Sequence, residues 1–197
     1  MAWIQGNRYL SAAEQQNNAL IVKQTLSSTG WTLNAIAGLL GNMQSESTIN
    51  PGIWQSLNEG NMSGGFGLVQ WTPATNFTNW ADANGYDWTN GDAQLLWIEQ
   101  QTTPTGQWIP TSEYPLSFSE FKVSTESPEY LASAFLKNFE RAGVEVEEQR
   151  RSQARAWYNF ITSGTTPDNP DTPSNPTTKK RKKFNFILFN RQRRTII

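Results

Sequence analysis

The carboxyl group of Glu46 is the strongest candidate for chemistry in this sequence. Glu46 ends a segment predicted to be a buried helix, and an Asn50-Pro51-Gly52 break and a glycine-rich segment follow it. Burial and the negative end of a helix dipole both favour the protonated form of a carboxyl group. A carboxylic acid that keeps its proton near neutral pH can protonate a glycosidic oxygen. The competing interpretation is a helix-end glutamate that only meets solvent.

The residue inventory excludes most other routes to catalysis. The 197 residues include no histidine and no cysteine. Disulfide scaffolds, thiol nucleophiles, Ser-His-Asp and Cys-His triads and the common zinc sites are therefore excluded. No metal and no other cofactor is expected, and acid–base chemistry near neutral pH falls to carboxyl groups.

Charge divides the chain into two unlike segments. Residues 1–164 hold 8 basic and 15 acidic residues, whereas residues 165–197 hold 8 basic and 2 acidic residues. Because phosphate binding needs a basic surface, the acidic body argues against nucleic acid as a partner.

Capping signals and apolar spacing predict a mostly helical domain over residues 1–164. Ser11 and Thr32 are the predicted starts of the first two helices. Gly38 and Gly41 lie inside the second helix, where they indicate close backbone packing in a core. The run at 66–71 predicts a short strand or hairpin. The expected fold class is α+β, mainly helical.

Two further segments follow this domain. Residues 165–178 contain four prolines and no large apolar side chain, which predicts an extended linker. Residues 179–197 form a tail of basic residues around a short apolar run. This tail either contacts an anionic wall polymer or membrane, or is a solvated tail. We expect no signal peptide and no transmembrane segment, because the N-terminus lacks a basic region leading into an apolar core and no window is apolar for roughly 18 residues.

Two motifs resemble those of the phage tail lysozyme family. The first is GNMQSES at 41–47, followed by the break at 50–52, and the second is GFGLVQWT at 65–72. The Glu-Ser pair followed by Gly-Leu-Val-Gln is also similar, more distantly, to the first two motifs of lytic transglycosylases and goose-type lysozymes. The resemblance covers most of residues 9–162.

The resemblance implies a lysozyme-like fold, with helices around a central buried helix and a small β hairpin walling a cleft. It implies an enzyme that cleaves the glycan strand of peptidoglycan between N-acetylmuramic acid and N-acetylglucosamine, with Glu46 as the catalytic acid. It also implies a virion tail protein that works beside other phage tail proteins on Gram-positive cell walls. Hydrolase and lytic transglycosylase both remain open, and a wall-binding or structural tail protein without activity is the alternative.

Four further residues are candidates for substrate binding. The resemblance places Gln70 in the cleft, where an amide both donates and accepts hydrogen bonds to sugar groups. Trp71 and Phe66 either offer flat faces to sugar rings or pack the β element on the helices. Trp54 follows Glu46 in the next loop and is a candidate cleft residue.

A second carboxylate would act as the base in an inverting enzyme, at roughly 6.5–9.5 Å from the acid. In a retaining enzyme it would act as the nucleophile, at roughly 5–5.5 Å. Glu59, in the glycine-rich segment, and Glu140, in a Phe-Glu-Arg motif, are the candidates. Glu140 alternatively pairs with Arg141 or another arginine, which is the interpretation we favour. A transglycosylase needs no such base, because a muramyl hydroxyl attacks intramolecularly.

Overall fold

The second helix of the chain lies at the centre of the fold, and four of the other helices pack against it. The computed structural model describes residues 1–102, 106–141 and 146–163. The α-helices within these ranges are α1 (Ala12–Ser28), α2 (Leu33–Ser47), α3 (Thr75–Ala83), α4 (Gly91–Glu99), α5 (Phe118–Val123), α6 (Pro128–Phe135) and α7 (Glu147–Ser163). A π-helical turn (Leu136–Glu140) continues α6, and 3-10 turns lie at Gln55–Leu57 and Gln100–Thr102. The predicted mainly helical architecture is confirmed.

The starts of the first two helices follow from their capping residues. The Ser11 backbone N–H donates to the Glu14 carboxylate over 2.8 Å at the start of α1. The Thr32 hydroxyl accepts from the Ala35 backbone N–H over 3.1 Å at the start of α2. These bonds satisfy amide groups that a helix leaves unpaired at its first turn.

Two glycines of α2 let neighbouring helices approach its backbone. A methyl group built on Gly38 would lie 2.9 Å from the backbone and side chain of Leu131 on α6. On Gly41 it would lie 2.5 Å from the carbonyl oxygen of Arg150 and 2.8 Å from the backbone nitrogen of Ala154, both on α7. The predicted close packing is confirmed, and α2 is therefore held between α6 and α7.

The predicted β hairpin is wrong: residues 1–102, 106–141 and 146–163 contain isolated β-bridges and no strand. Phe66 and Trp71 exchange two backbone hydrogen bonds, of 3.2 and 3.0 Å. Between them the chain makes a tight turn in which Gly67 and Gln70 both take positive φ, of 80° and 49°. Outside this pair, the Gly65 carbonyl accepts from the Gln55 N–H and Pro73 has no N–H to donate, so the pairing stops at one pair.

The C-terminal predictions fall outside the structure. The predicted linker at 165–178 and the basic tail at 179–197 lie beyond the described residues. Within the described part of the chain, no helix has both the length and the apolar character to cross a membrane.

Candidate active site

Glu46 lies in the last turn of α2, and its side chain is 22% exposed. Directly after it the chain reverses through Thr48 and Ile49, with φ of 55° and 58°. Both are β-branched, and left-handed backbone costs such residues on the order of 1–3 kcal/mol each. Leu10 donates its N–H to the Thr48 hydroxyl, and Asn18 donates to the Ile49 carbonyl, each over 2.9 Å. These contacts stabilise the reversal that ends the helix beside Glu46.

Arg150 is the centre of the charge network around Glu46. Its side chain is 5% exposed and reaches from α7 to α2. The Nη2 atom donates to the Glu46 carboxylate, and the Nη1 atom donates to the Glu140 carboxylate. Nη1 also donates to the side-chain amide oxygen of Asn42 over 2.9 Å. One buried cation therefore contacts two carboxyl groups from different parts of the chain.

The position of Arg150 depends on the close approach of α7 to α2 at Gly41. Near the end of α2, the Ser45 hydroxyl donates to the Gln153 side chain over 2.6 Å. One turn later on α7, Trp157 donates its indole N–H to Gln44 over 2.8 Å. These contacts hold the two helices together next to the Glu46–Arg150 pair, on the side toward the C-terminus of α7.

Glu140 occupies the last position of the π-helical turn, where its side chain is 6% exposed. The turn ends at Arg141, which has a φ of 57° and donates its backbone N–H to Leu136. Burial raises the pKa of Glu140 well above its usual range, and the negative charge of Glu46 raises it further. The positive charge of Arg150 acts in the opposite direction. Glu140 therefore tends to hold a proton.

Two cavities meet at Glu46. The larger, here called the Glu140 cavity, has a volume of about 430 Å³. It is lined by Glu46, Val69, Gln70, Thr72, Asn76, Gln107, Glu140 and Arg141. The smaller, here called the Trp54 cavity, has a volume of about 320 Å³ and is lined by Tyr9, Ser45, Glu46, Ile53, Trp54, Gln55, Ser56, Gln70 and Thr72. Glu46, Gln70 and Thr72 line both, so Glu46 has open space on two sides.

Gln70 stands between the two cavities in a fixed orientation. Its amide nitrogen donates to the carbonyl oxygens of Gly67, over 3.1 Å, and Ile53, over 3.3 Å. An amide carries two N–H donors, so the loop uses both and the side-chain carbonyl oxygen remains to accept from a ligand. Gly65 lies against this oxygen, since a methyl group there would be 2.8 Å away.

The three aromatic candidates are placed differently. Trp71 is 2% exposed and stacks on Phe77 with ring centroids 4.8 Å apart. Phe66 is equally buried and packs against Trp54 at 4.5 Å. Neither Trp71 nor Phe66 lines the Glu140 cavity or the Trp54 cavity, so their contacts match the packing interpretation. Trp54 does line the Trp54 cavity, beside Glu46.

Glu59 lies apart from Glu46. It lines a separate cavity with Trp88, Asp82 and Asp87, and Trp54 forms the wall between that cavity and the Trp54 cavity. Glu140 is the second carboxyl group that the structure brings to Glu46, and it pairs with Arg150, in keeping with the expected pairing with an arginine. Within the described residues, no group of three or more acidic side chains is arranged to hold a metal ion.

Arg150 is the residue at this candidate site that the sequence analysis missed. The buried face of α7 contains Arg150, Gln153, Ala154, Trp157 and Ile161. This is helical spacing with a charged residue at an apolar position, and a buried arginine requires a partner. That pattern in the sequence could have indicated that Arg150 is buried and paired with a carboxyl group.

Comparison with known proteins finds a matching protein family and a related phage protein. A family model described as phage tail lysozyme matches residues 17–161. Morphogenesis protein 1 of Bacillus phage B103 is 49% identical over 156 residues, which cover 79% of this chain and 42% of the phage protein. The matched part of the chain spans less than half the length of that relative. Glu46, Gln70, Glu140 and Arg150 all lie within the matched range.

Proposed function

Because the chain belongs to the phage tail lysozyme family, we propose that it cleaves the glycan strand of peptidoglycan between N-acetylmuramic acid and N-acetylglucosamine, with Glu46 as the general acid. One observation carries this proposal: Glu46 is a partly exposed carboxyl group at the junction of two cavities, held by a buried arginine that also binds a second carboxyl group. A catalytic acid in a cleft needs this combination of access and a perturbed environment.

In the proposed reaction, the glycan lies across the Glu140 cavity and the Trp54 cavity, and the scissile bond lies at Glu46. Glu46 gives its proton to the glycosidic oxygen while the bond from that oxygen to the anomeric carbon breaks. The carbonyl oxygen of Gln70 accepts a hydrogen bond from the sugar, and the ring of Trp54 contacts a sugar on one side.

The group that then attacks the anomeric carbon defines the reaction. In a hydrolase it is water, and in a lytic transglycosylase it is a hydroxyl of the muramic acid itself. Of the two candidate second carboxyl groups, we assign Glu140 to the site, because it shares a cavity with Glu46 and Glu59 does not.

We further infer that the protein acts from the virion, together with phage tail proteins, on a Gram-positive wall. The name and host of the related phage morphogenesis protein support this setting. The basic residues of 179–197 would add attraction to an anionic wall polymer or membrane.

Product analysis tests the proposed function. Purified Gram-positive peptidoglycan is incubated with the protein, and the soluble products are separated and identified by mass spectrometry. A hydrolase leaves new reducing ends at N-acetylmuramic acid, and a transglycosylase leaves anhydromuramic ends. Retention of the protein on the walls with neither product would contradict the proposal and identify a wall-binding protein.

A further inference from the structure

We propose that Glu140 is a positioning residue that shares one proton with Glu46 beside Arg150, and that it serves as neither nucleophile nor base. The proposal rests on the proposed function, since it assigns Glu140 a task in supplying the catalytic proton. It goes beyond that function by naming a second carboxyl group that holds this proton together with Glu46 before the reaction.

The charges around Arg150 favour such a proton. Arg150 and Glu140 are 5% and 6% exposed, and a single guanidinium faces both Glu140 and Glu46. With both carboxyl groups ionised, the cluster would carry one uncompensated negative charge in a largely buried place, which is costly. With one proton on the two carboxyl groups, the cluster of Glu46, Glu140 and Arg150 has a net charge of zero. Arg141, which also lines the cavity, donates to the Gln107 carbonyl over 2.8 Å.

An unpartnered atom is consistent with this proton. The Oε1 atom of Glu140 is buried and has no hydrogen-bond partner among the described residues when both groups are carboxylates. Two carboxylates only accept hydrogen bonds, whereas a protonated carboxyl group donates one. A proton on the pair turns the contact between the two groups from repulsion into a hydrogen bond. The same contact contributes to the raised pKa of Glu140.

Access separates the roles of the two carboxyl groups. Glu46 is 22% exposed at the junction of the two cavities, while Glu140 is nearly buried and its Oε2 atom is bound to Arg150. A nucleophile must reach the anomeric carbon, and a base must reach the attacking water. Glu46 can meet the substrate, and Glu140 acts through Glu46.

The proton balance of the step follows from these charges. Before reaction the pair and Arg150 sum to zero. Glu46 transfers the shared proton to the glycosidic oxygen, which keeps the electron pair of the broken bond, and the sugar becomes an oxocarbenium ion. The cluster is then negative by one charge, opposite in sign to that cation. The attacking water or hydroxyl loses one proton as it bonds to the anomeric carbon, and that proton restores the pair.

A titration without substrate tests the shared proton independently of activity. Carbon-13 NMR of the glutamate carboxyl groups follows each group with pH in the full chain. We expect one group, Glu140, to titrate well above the usual glutamate range, and to move back down in Glu46→Gln, because the neighbouring charge is gone. A Glu140 signal that Glu46→Gln does not move would overturn the proposal. This result stands even if the wild-type protein cleaves no glycan.

The pH profile of glycan cleavage tests the task of Glu140. In Glu140→Gln, Arg150 faces Glu46 alone and favours its ionised form, so the alkaline limb of kcat/KM should move down by about one pH unit or more. Adding Arg150→Gln to the Glu140→Gln variant removes the positive charge and should move the alkaline limb back to higher pH. Glu129→Gln, which breaks the Glu129–Arg155 pair elsewhere between α6 and α7, is the matched control.

Two outcomes of this experiment would reject the proposal. Loss of activity in Glu140→Gln at every pH would make Glu140 a direct participant in the chemistry. A reduced rate with an unmoved pH profile would leave it a purely structural residue. Circular dichroism of each variant separates both outcomes from unfolding.

Discussion

Glu46 and Glu140 are paired with the same guanidinium group, although 94 positions separate them along the chain. Glu46 comes from the last turn of α2, and Glu140 from the end of a π-helical turn after α6. Such turns are often found at functional sites. The pairing joins the partly exposed carboxyl group of Glu46 to the buried carboxyl group of Glu140, and the predictions below test its parts.

The close approach of α7 to α2 should be sensitive to one methyl group. Gly41→Ala places a methyl 2.5 Å from the Arg150 carbonyl oxygen, and α7 must shift to relieve the overlap. We expect a loss of about 1–3 kcal/mol in the free energy of unfolding, measured with urea, and reduced cleavage because Arg150 moves. Gln24→Ala, at an exposed position of α1, is the control and should change stability by less than about 0.5 kcal/mol. Unchanged stability and activity in Gly41→Ala would contradict the packing argument.

Stability should depend on pH through Glu140. Its pKa is raised in the folded protein, so the folded state holds this proton at pH values where the unfolded chain has lost it. The free energy of unfolding should therefore fall as pH rises from about 4.5 through the raised pKa, by at most about 1.4 kcal/mol per pH unit for one proton. Urea unfolding of wild type and Glu140→Gln at several pH values measures this dependence. An equal change of the free energy of unfolding with pH in both proteins would show that Glu140 is not the cause of this dependence.

Glu59 should be dispensable for cleavage. It lines the separate cavity beyond Trp54, so Glu59→Gln removes a charge without reaching Glu46. We expect kcat to stay within about twofold of wild type, since surface substitutions away from a site change little. Assays on soluble glycan fragments measure it. A fall of a hundredfold or more would return Glu59 to the reaction as the second carboxylate.

Deleting residues 179–197 should separate wall retention from catalysis. The deletion removes the eight basic residues of the C-terminal segment, whose attraction to an anionic surface is screened by salt. We expect weaker retention on anionic walls or vesicles at low salt and nearly unchanged cleavage of soluble fragments. Co-sedimentation at two salt concentrations measures retention. Equal retention with and without the tail would favour the solvated-tail interpretation.

Part of this structure could be predicted from local sequence signals. The helix starts at Ser11 and Thr32 follow from capping chemistry, and Gly41 in a helix correctly indicated close packing. The hairpin prediction failed because the run at 66–71 forms a tight turn closed by one backbone pair, and the positive φ of Gln70 in that turn has no clear local signature.

The charge network was harder to predict than the helices. It depends on a π-helical turn and on two helices meeting at Gly41, both of which are set by tertiary packing. The motifs around Glu46 indicated that residue, and the Phe-Glu-Arg motif named Glu140 as a candidate. It could not show that Arg150 joins them, since these residues lie on three separate elements.

The most direct test of the central claim is the activity of Glu46→Gln on purified Gram-positive walls. Glutamine keeps the shape of the side chain but has no acidic proton, so turbidity loss and release of soluble muropeptides should fall by about 10²–10⁴-fold, the usual contribution of a general acid. Circular dichroism should show an unchanged fold. Cleavage at the wild-type rate by folded Glu46→Gln would remove Glu46 from the mechanism and contradict the account.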